Sequence, residues 1–284
     1  MKEYARGARG EGRVIGLVPT MGALHEGHTA LVARARGECS RVIASVFVNP
    51  KQFGPKEDYQ KYPRDLPKDA EKLALVGVDA LFAPETADVY PDGFRTYVHV
   101  QGISERLEGR SRPGHFRGVA TVVLKLFEIV QPHFAYFGRK DAQQVRIISE
   151  MARDLNLDAG IVVCPIVREA DGLALSSRNA YLSGEERKAA TVLHRALVAV
   201  GNELAGGVRD AMQLQTVMRR IIEGEPLATL DYAEIVGADT FEPVVQVARP
   251  CYALLAVFIG KTRLIDNLLI EAASPGSEEF AFRL

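Results

Sequence analysis

The chain has 284 residues, 47% of them apolar, so it can bury one large core or two ordinary ones. Its 35 Lys and Arg against 36 Asp and Glu leave a formal charge of -1, which gives no global field to draw it onto nucleic acid or an anionic membrane and favours a small-molecule partner. No apolar run approaches the roughly 20 residues of a membrane span, and the start "MKEYARGARGEGR" lacks the apolar stretch of a secretory signal, so a soluble, unexported, cytoplasmic protein is expected.

In chain order, short β-branched or aromatic runs at "VIGLV" (14–18), "VIASVFV" (42–48), "DALFA" (79–83) and "FAYFG" (134–138) read as buried strands. Between and after them, "HTALVARARGE", "DAEKLALVG", "GVATVVLKLFEIV" and "DAQQVRIISEMARDL" carry helical period. Strands alternating with helices predict right-handed βαβ units, an α/β fold with a Rossmann-like, doubly wound parallel sheet. Beyond "IVVCPIVREADGLALSSRNAYLS" the pattern changes. Helical "GEERKAATVLHRALVAVGNELAGG" and "VRDAMQLQTVMRRIIEG" precede strand-like "LDYAEIV", "CYALLAVFIG" and "TRLIDNLLIE", the last two joined by a tight turn at Gly260 and Lys261. This predicts a smaller C-terminal α+β domain, with 1–167 and 168–284 as the two domains and "SPGSEEFAFRL" as a tail. Cys39, Cys164 and Cys251 are odd in number and far apart, fitting neither a disulfide framework nor a zinc site.

Ligands of an open α/β sheet settle beyond the carboxyl ends of its strands. "PTMGALHEGH" occupies such a place: Pro19 closes the strand, Gly22 and Gly27 let backbone approach a ligand, and the next helix offers free N–H groups to an anion. His25 and His28, one helical turn apart, project to the same side and can both donate to phosphate oxygens. A histidine pair at a helix start can equally be a cap, and it is a poor metal site without a third ligand nearby. Further strand-end loops carry Asn49, Gln52, Tyr62 and Arg64, then Gly138, Lys140, Asp141 and Gln144, then Ser176, Ser177 and Arg178. Each has a plainer alternative: Lys140 as a solvated lysine, Asp141 as an N-cap, the serines as turn residues, Gln144 on a solvated helix face. Four polar loops on one rim favour a polyphosphate site.

The segments "PTMGALHEGH", "VNPKQFGPKEDYQKYPRD", "GRSRPGHFRGVATVVLKLF", "GRKDAQQ" and "VREADGLALSSRNAYL", in this order and spacing, closely resemble the pantoate–beta-alanine ligase (pantothenate synthetase) family. That family belongs to the H-x-G-H nucleotidyltransferases, related in fold to class I aminoacyl-tRNA synthetases. The resemblance implies an ATP-dependent ligase that makes pantothenate from pantoate and beta-alanine through a pantoyl adenylate, with magnesium, as a homodimer. It implies that Pro19, Thr20, Met21, Gly22, Ala23, Leu24, His25, Glu26, Gly27 and His28 line ATP, with His28 as proton donor. Gly138, Arg139, Lys140, Asp141 and Val167 would contact the nucleotide, and Leu175, Ser176, Ser177 and Arg178 would close over the triphosphate. Gln52 and Gln144 would hold pantoate, with Asn49, Tyr62, Glu108 and Arg112 as further substrate-site residues. Three departures stand out. Only thirteen residues precede the first strand, where the family has a further strand and helix; Leu175 replaces a common Met; Ala142 replaces a common aromatic.

The chemistry asks for such residues. A carboxylate does not condense with an amine at neutral pH until adenylation gives its carbon a good leaving group. Bringing pantoate against ATP sets like charges together, at ~4 kcal/mol per pair 4 Å apart in an effective dielectric near 20. Lys140, Arg178, magnesium and the two imidazoles are the expected offsetting cations. His99, His115, His133 and His194 read as structural, with His115 also placed to shape the pantoate pocket. The alternatives are another H-x-G-H nucleotidyltransferase, a tRNA synthetase, for which a basic tRNA-binding module is missing, or a non-catalytic nucleotide-binding regulator.

Overall fold

The computed structural model describes residues 1–55, 57–248, 250–272 and 280–283. They form two compact units, Met1–Cys164 and Pro165–Leu284.

The first unit runs α1 (Lys2–Gly10), β1 (Ile15–Thr20), α2 (Glu26–Glu38), β2 (Arg41–Val46), α3 (Leu66–Leu75), β3 (Ala80–Phe82), α4 (Thr86–Val89), α5 (Glu108–Ser111), α6 (His115–Val130), β4 (Phe134–Gly138), α7 (Ala142–Asp154) and β5 (Gly160–Cys164). The strands form one parallel sheet in the order β3-β2-β1-β4-β5. Alternate side chains of β1 serve two cores. Ile15 and Leu17 pack with Ile43, Ala135 and Phe137 among residues of α6 and α7, while Val18 packs with Val42, Ala44 and Tyr136 against Leu31, Val32 and Ala35 of α2. Removing each large aliphatic side chain from water contributes about 1.5–3 kcal/mol, so strand order follows from covering both faces of the sheet.

The position of β1 matters most for function. The chain proceeds outward from it on one side through β2 and β3 and on the other through β4 and β5, so the order reverses between β1 and β4. A crevice opens at such a switch point, beyond the carboxyl ends of the strands. Here the ladder between β1 and β4 stops at Leu17 and Ala135, two residues before Pro19, which has no N–H to continue it. Pairing to β2 continues through Thr20, so Pro19 lies inside the strand instead of ending it.

What precedes β1 is the helix α1 alone; among the described residues no strand comes before it. Its Ala5 and Ala8 are buried in the core that includes α6.

The second unit contains α8 (Gly184–Ala189), α9 (Val192–Ala205), α10 (Ala211–Glu223), β6 (Ala228–Gly237), β7 (Cys251–Ile259), β8 (Thr262–Ala272) and β9 (Phe280–Arg283). The strands form an antiparallel sheet in sequence order. Leu193, Leu197, Leu214, Met218 and Ile222 of α9 and α10 pack on Ile235, Leu255, Val257 and Leu268 of the sheet. Gly260, at φ +56°, and Lys261 make the two-residue turn between paired Ile259 and Thr262, a conformation that suits glycine. The helical stretch from 184 is broken at Ala190 and Thr191 into α8 and α9. Of the expected tail, 274–279 and 284 lie outside the described residues, whereas Phe280–Arg283 pairs with β8.

Candidate active site

The loop after β1 and the loop after β4 flank the switch point, and they carry the histidine pair and Lys140. Leu24 is buried, and α2 starts immediately after His25. His25 is the N-cap of α2: its Nδ1 accepts the Gly27 N–H at 3.2 Å, while its own N–H donates to His28 Nδ1 at 3.3 Å. The two rings lie 4.1 Å apart between centroids. Capping the helix therefore leaves both rings able to meet a ligand. The same bonds take up part of the helix start, since the Gly27 N–H goes to His25 Nδ1 and the His28 N–H to the His25 carbonyl. The rings add donors of their own beside the first amide of α2, at Glu26.

A neutral imidazole carries one proton, and a nitrogen that accepts a hydrogen bond cannot hold it. Both histidines are therefore Nε2–H tautomers, and neither Nε2–H has a protein partner among the described residues. Burial, then the charges of Lys140 and Lys72, hold His25 down at about 4, with Asp141 opposing. Burial, its neighbour His25, Lys140 and Lys72 hold His28 at about 3. The expected cationic imidazoles are corrected accordingly: near neutral pH both are uncharged donors. Lys140 and Asp141, in the 3₁₀ turn of Arg139–Asp141 after β4, are near enough to act electrostatically on His25. Asp141 precedes α7 but makes no side-chain cap bond, and its side chain is exposed.

Thr20 closes β1 with its hydroxyl donated to the Ser45 carbonyl at 2.7 Å, and the Gly22 N–H donates to Thr20 Oγ1 at 3.2 Å. Gly22 has φ +82° and Ala23 φ +52°, left-handed conformations that turn the chain sharply after the strand. A Cβ on Gly22 would lie 2.8 Å from Asp69 Oδ2, so glycine is required on both counts. Asp69 of α3, 2% exposed, accepts the N–H groups of Ala23 and Leu24 at 2.9 and 2.8 Å. Lys72, one turn further along α3, donates to the Leu24 carbonyl.

The 3₁₀ turn of Pro50–Gln52 follows β2. Gln52 donates to Met21 Sδ at 3.1 Å and accepts from Asn49 Nδ2 at 2.9 Å, which ties this turn to the histidine loop. Asn49, 1% exposed, also donates to the Gly118 carbonyl and accepts from Tyr90 Oη and the Lys51 N–H. Its amide is fully engaged in this arrangement and orients Gln52. Arg112 forks onto Glu57, the shortest bond 2.6 Å, and donates to His115 Nε2 at 3.1 Å. His115 Nδ1–H in turn donates to the Gln52 carbonyl at 2.8 Å. Burial, then the Arg112 charge, hold His115 at about 4. Burial pushes the Glu57 carboxyl up, and the Arg112 guanidinium outweighs it, leaving Glu57 below the usual range.

Tyr62 is buried with its ring edge-on to Phe53. Glu108 is buried beside Arg112, 4.0 Å away, and its N–H donates to Gln143. Gln144 is half-buried in the first turn of α7.

Within the second unit, Val167 and Leu175 are joined by a backbone hydrogen bond at 2.9 Å across a hairpin whose turn holds Gly172 at φ +92°. Arg168 forks onto buried Asp266 at 2.7 and 2.9 Å, and Arg187 pairs with Asp171 and Glu169. The hairpin is thus pinned to β8 and α8. Ser176 Oγ accepts the Arg178 N–H at 3.3 Å, and Asn179 donates to the Ala174 carbonyl, so the "SSRN" segment leaves the hairpin as an ordered 3₁₀ turn.

A family model described as pantoate-beta-alanine ligase matches residues 1–269. The chain belongs to the pantoate–beta-alanine ligase family. It is 53% identical to the pantothenate synthetase of Pelotomaculum thermopropionicum over 270 residues, 95% of this chain and 96% of that one. The crystal structure of pantothenate synthetase from Thermus thermophilus superposes with a TM-score of 0.89 at 47% identity, covering 94% of this chain and 96% of that chain. A pantoate-beta-alanine ligase from Francisella tularensis, complexed with beta-gamma ATP and beta-alanine, matches with a TM-score of 0.75 at 37% identity and covers 94% of each chain.

Among ligase-family residues expected from sequence, Pro19 through His28, Asn49, Gln52, Tyr62, Glu108, Arg112, Gly138 through Asp141 and Gln144 belong to the first unit, and Val167 and Leu175 through Arg178 to the second. Sequence reading missed Asp69, Lys72, Glu57 and Gln143, all of which hold the loops. "DAEK" carried one signal, a carboxylate and an ammonium one turn apart on the same helix face. Gln143 clamps the approach to α5 by donating to the carbonyls of Ile103 and Arg106. His133 accepts the Ile15 N–H at 2.9 Å, the structural part expected of it.

Proposed function

We propose that this chain condenses pantoate with beta-alanine to pantothenate at the expense of ATP, releasing AMP and pyrophosphate. The observation that carries this reading is the pair of neutral Nε2–H imidazoles near Lys140 at the β1/β4 switch point, in a chain matched to the ligase family over residues 1–269.

A carboxylate oxygen of pantoate attacks the α-phosphorus in line, the bond to the bridging oxygen breaks, and pyrophosphate leaves. His25 and His28 donate Nε2–H to phosphate oxygens whose charge grows in this step, and Lys140 supplies the fixed cation. Because the rings are held neutral, their contribution is directed hydrogen bonding, and net charge falls to Lys140 and Arg178. The amine of beta-alanine then attacks the acyl carbon, AMP departs, and the ammonium proton passes to solvent. No protein nucleophile takes part.

Gln52 and Gln144 hold pantoate, Gln52 also bordering beta-alanine; Asn49, Glu57, Arg112 and His115 hold Gln52, while Tyr62 and Glu108 complete the surroundings. Val167, Leu175, Ser176, Ser177 and Arg178 contact the nucleotide. Magnesium, which the family resemblance implies, would arrive with ATP, carried by substrate phosphates with at most one or two carboxylates. Following the family resemblance, the enzyme works as a cytoplasmic homodimer. No helix among the described residues is long and apolar enough to cross a membrane, and light scattering tests the dimer.

The direct test mixes enzyme, ATP and pantoate without beta-alanine. About one equivalent of pyrophosphate per active site, retained with a bound acyl adenylate, is the expected outcome; ATP binding without pantoate-dependent pyrophosphate would overturn the reading.

A further inference from the structure

We propose that Lys72 is a positioning residue for His28, acting through the Leu24–His25 peptide group to hold that imidazole as the Nε2–H tautomer. This deepens the reading of the histidine site given above and rests on it for its catalytic consequence.

A trans peptide unit is planar, with its carbonyl and N–H pointing in opposite directions, so fixing one fixes the other. Lys72 Nζ donates to the Leu24 carbonyl. The N–H on the far side of that peptide belongs to His25, and it donates to His28 Nδ1 at 3.3 Å. The path therefore runs from ammonium to carbonyl, across one peptide, to the ring nitrogen. A charged donor on the carbonyl polarises the amide and strengthens the bond its N–H makes, because hydrogen bonds in series reinforce one another. That bond occupies Nδ1 as an acceptor and leaves the single proton at Nε2, the atom from which His28 donates.

Asp69 supplies the rigidity that lets Lys72 act. Its two oxygens take the N–H groups of Ala23 and Leu24, so α3 grips the loop at three backbone points within two residues. The helix thus sets both the path of the loop and the plane of the peptide that meets His28. Without the lysine the Leu24 carbonyl loses a charged partner, the peptide is freer to rotate, and His28 can exchange its proton between the two nitrogens.

The test uses the full-length enzyme with nitrogen-15 labelled histidine, comparing wild type with Lys72→Met, which keeps the aliphatic stem and removes the donor. Wild type is expected to show His28 as a pure Nε2–H tautomer near neutral pH. In Lys72→Met the Nδ1–H form should appear, and kcat should fall by about tenfold, the loss of one charge-assisted hydrogen bond's orientation, with KM values for ATP and pantoate within about twofold. Lys72→Arg, which can donate to the same carbonyl, should restore both the tautomer and most of kcat. A His28 spectrum unchanged in Lys72→Met would overturn the proposal, whether or not kcat fell. A changed tautomer with unchanged kcat would overturn the catalytic half. Should wild type fail to make pantothenate, the ligase reading fails while the tautomer spectra still decide whether Lys72 positions His28.

Discussion

The backbone N–H of His25 donates to Nδ1 of His28, 3.3 Å away, and so the residue that caps α2 also fixes which nitrogen of its neighbour carries the proton. A donor of defined direction, uncharged and already in place, faces little reorganisation as charge develops on a phosphate. Replacing His28 by Ala should lower kcat by ~10²-fold or more, as for loss of a preorganised transition-state donor, with the thermal unfolding midpoint within a few degrees of wild type. Steady-state pyrophosphate release and a melting curve check it; unchanged turnover removes His28 from the mechanism.

The depressed histidines also predict how stability varies with pH. Unfolded, each takes up a proton near the ordinary 6.5; folded, His25, His28 and His115 do so only near 4, 3 and 4. Between those limits the unfolded chain binds more protons, so the stability contributed by keeping these rings neutral is fully present above 6.5 and is lost as pH falls toward the folded values. Denaturation midpoints should fall between pH 7 and 5 more steeply than in a His25→Asn, His28→Asn double variant. Equal slopes would contradict the depressed values.

Gln52 is held from behind. His115 donates to its carbonyl at 2.8 Å, and Arg112, itself forked onto Glu57, donates to His115. Arg112→Lys keeps the charge but loses the fork, and the relay loosens at its middle. The expected result is a KM for pantoate raised about tenfold, with KM for ATP changed by less than about twofold, since Asp69 and Lys72 still grip the histidine loop when its tie to Gln52, through Met21, is loosened. Parallel titrations of both substrates check this; an equal rise in both would show general damage instead.

At Gly118 the backbone of α6 comes close to the Gln52 turn. A Cβ there would lie 2.1 Å from the Lys51 carbonyl oxygen and 2.6 Å from the Gln52 nitrogen, both backbone atoms. Helix and turn must part for Gly118→Ala to fit, which should cost about 1–3 kcal/mol of stability in urea denaturation and weaken pantoate binding. A variant as stable as wild type would mean that the contact is looser than it stands.

Much of the first unit and its histidine site is legible in sequence because the signals are local. "HEGH" places both imidazoles on one turn of one helix, and alternating strands and helices give the parallel sheet. The residues that hold the site carry no such signal: Asp69 meets Ala23 and Leu24 across 46 and 45 positions, and Arg112 meets Glu57 across 55. Only the fold brings them together. The neutral state of the histidines was invisible for a related reason, since burial and the charges of Lys140 and Lys72 set it, and none of these shows in the spacing of two histidines. The break between α8 and α9 escaped because "KAATVL" continues the helical period without Gly or Pro.

Adenylation of pantoate is the central claim, and the fate of one oxygen tests it most directly. Pantoate labelled with oxygen-18 in its carboxylate is turned over with ATP and beta-alanine, and the AMP is analysed by mass spectrometry. Attack of the carboxylate on the α-phosphorus followed by cleavage of the acyl–oxygen bond requires one labelled oxygen in each AMP formed. AMP without label, alongside labelled pantothenate, would contradict the account.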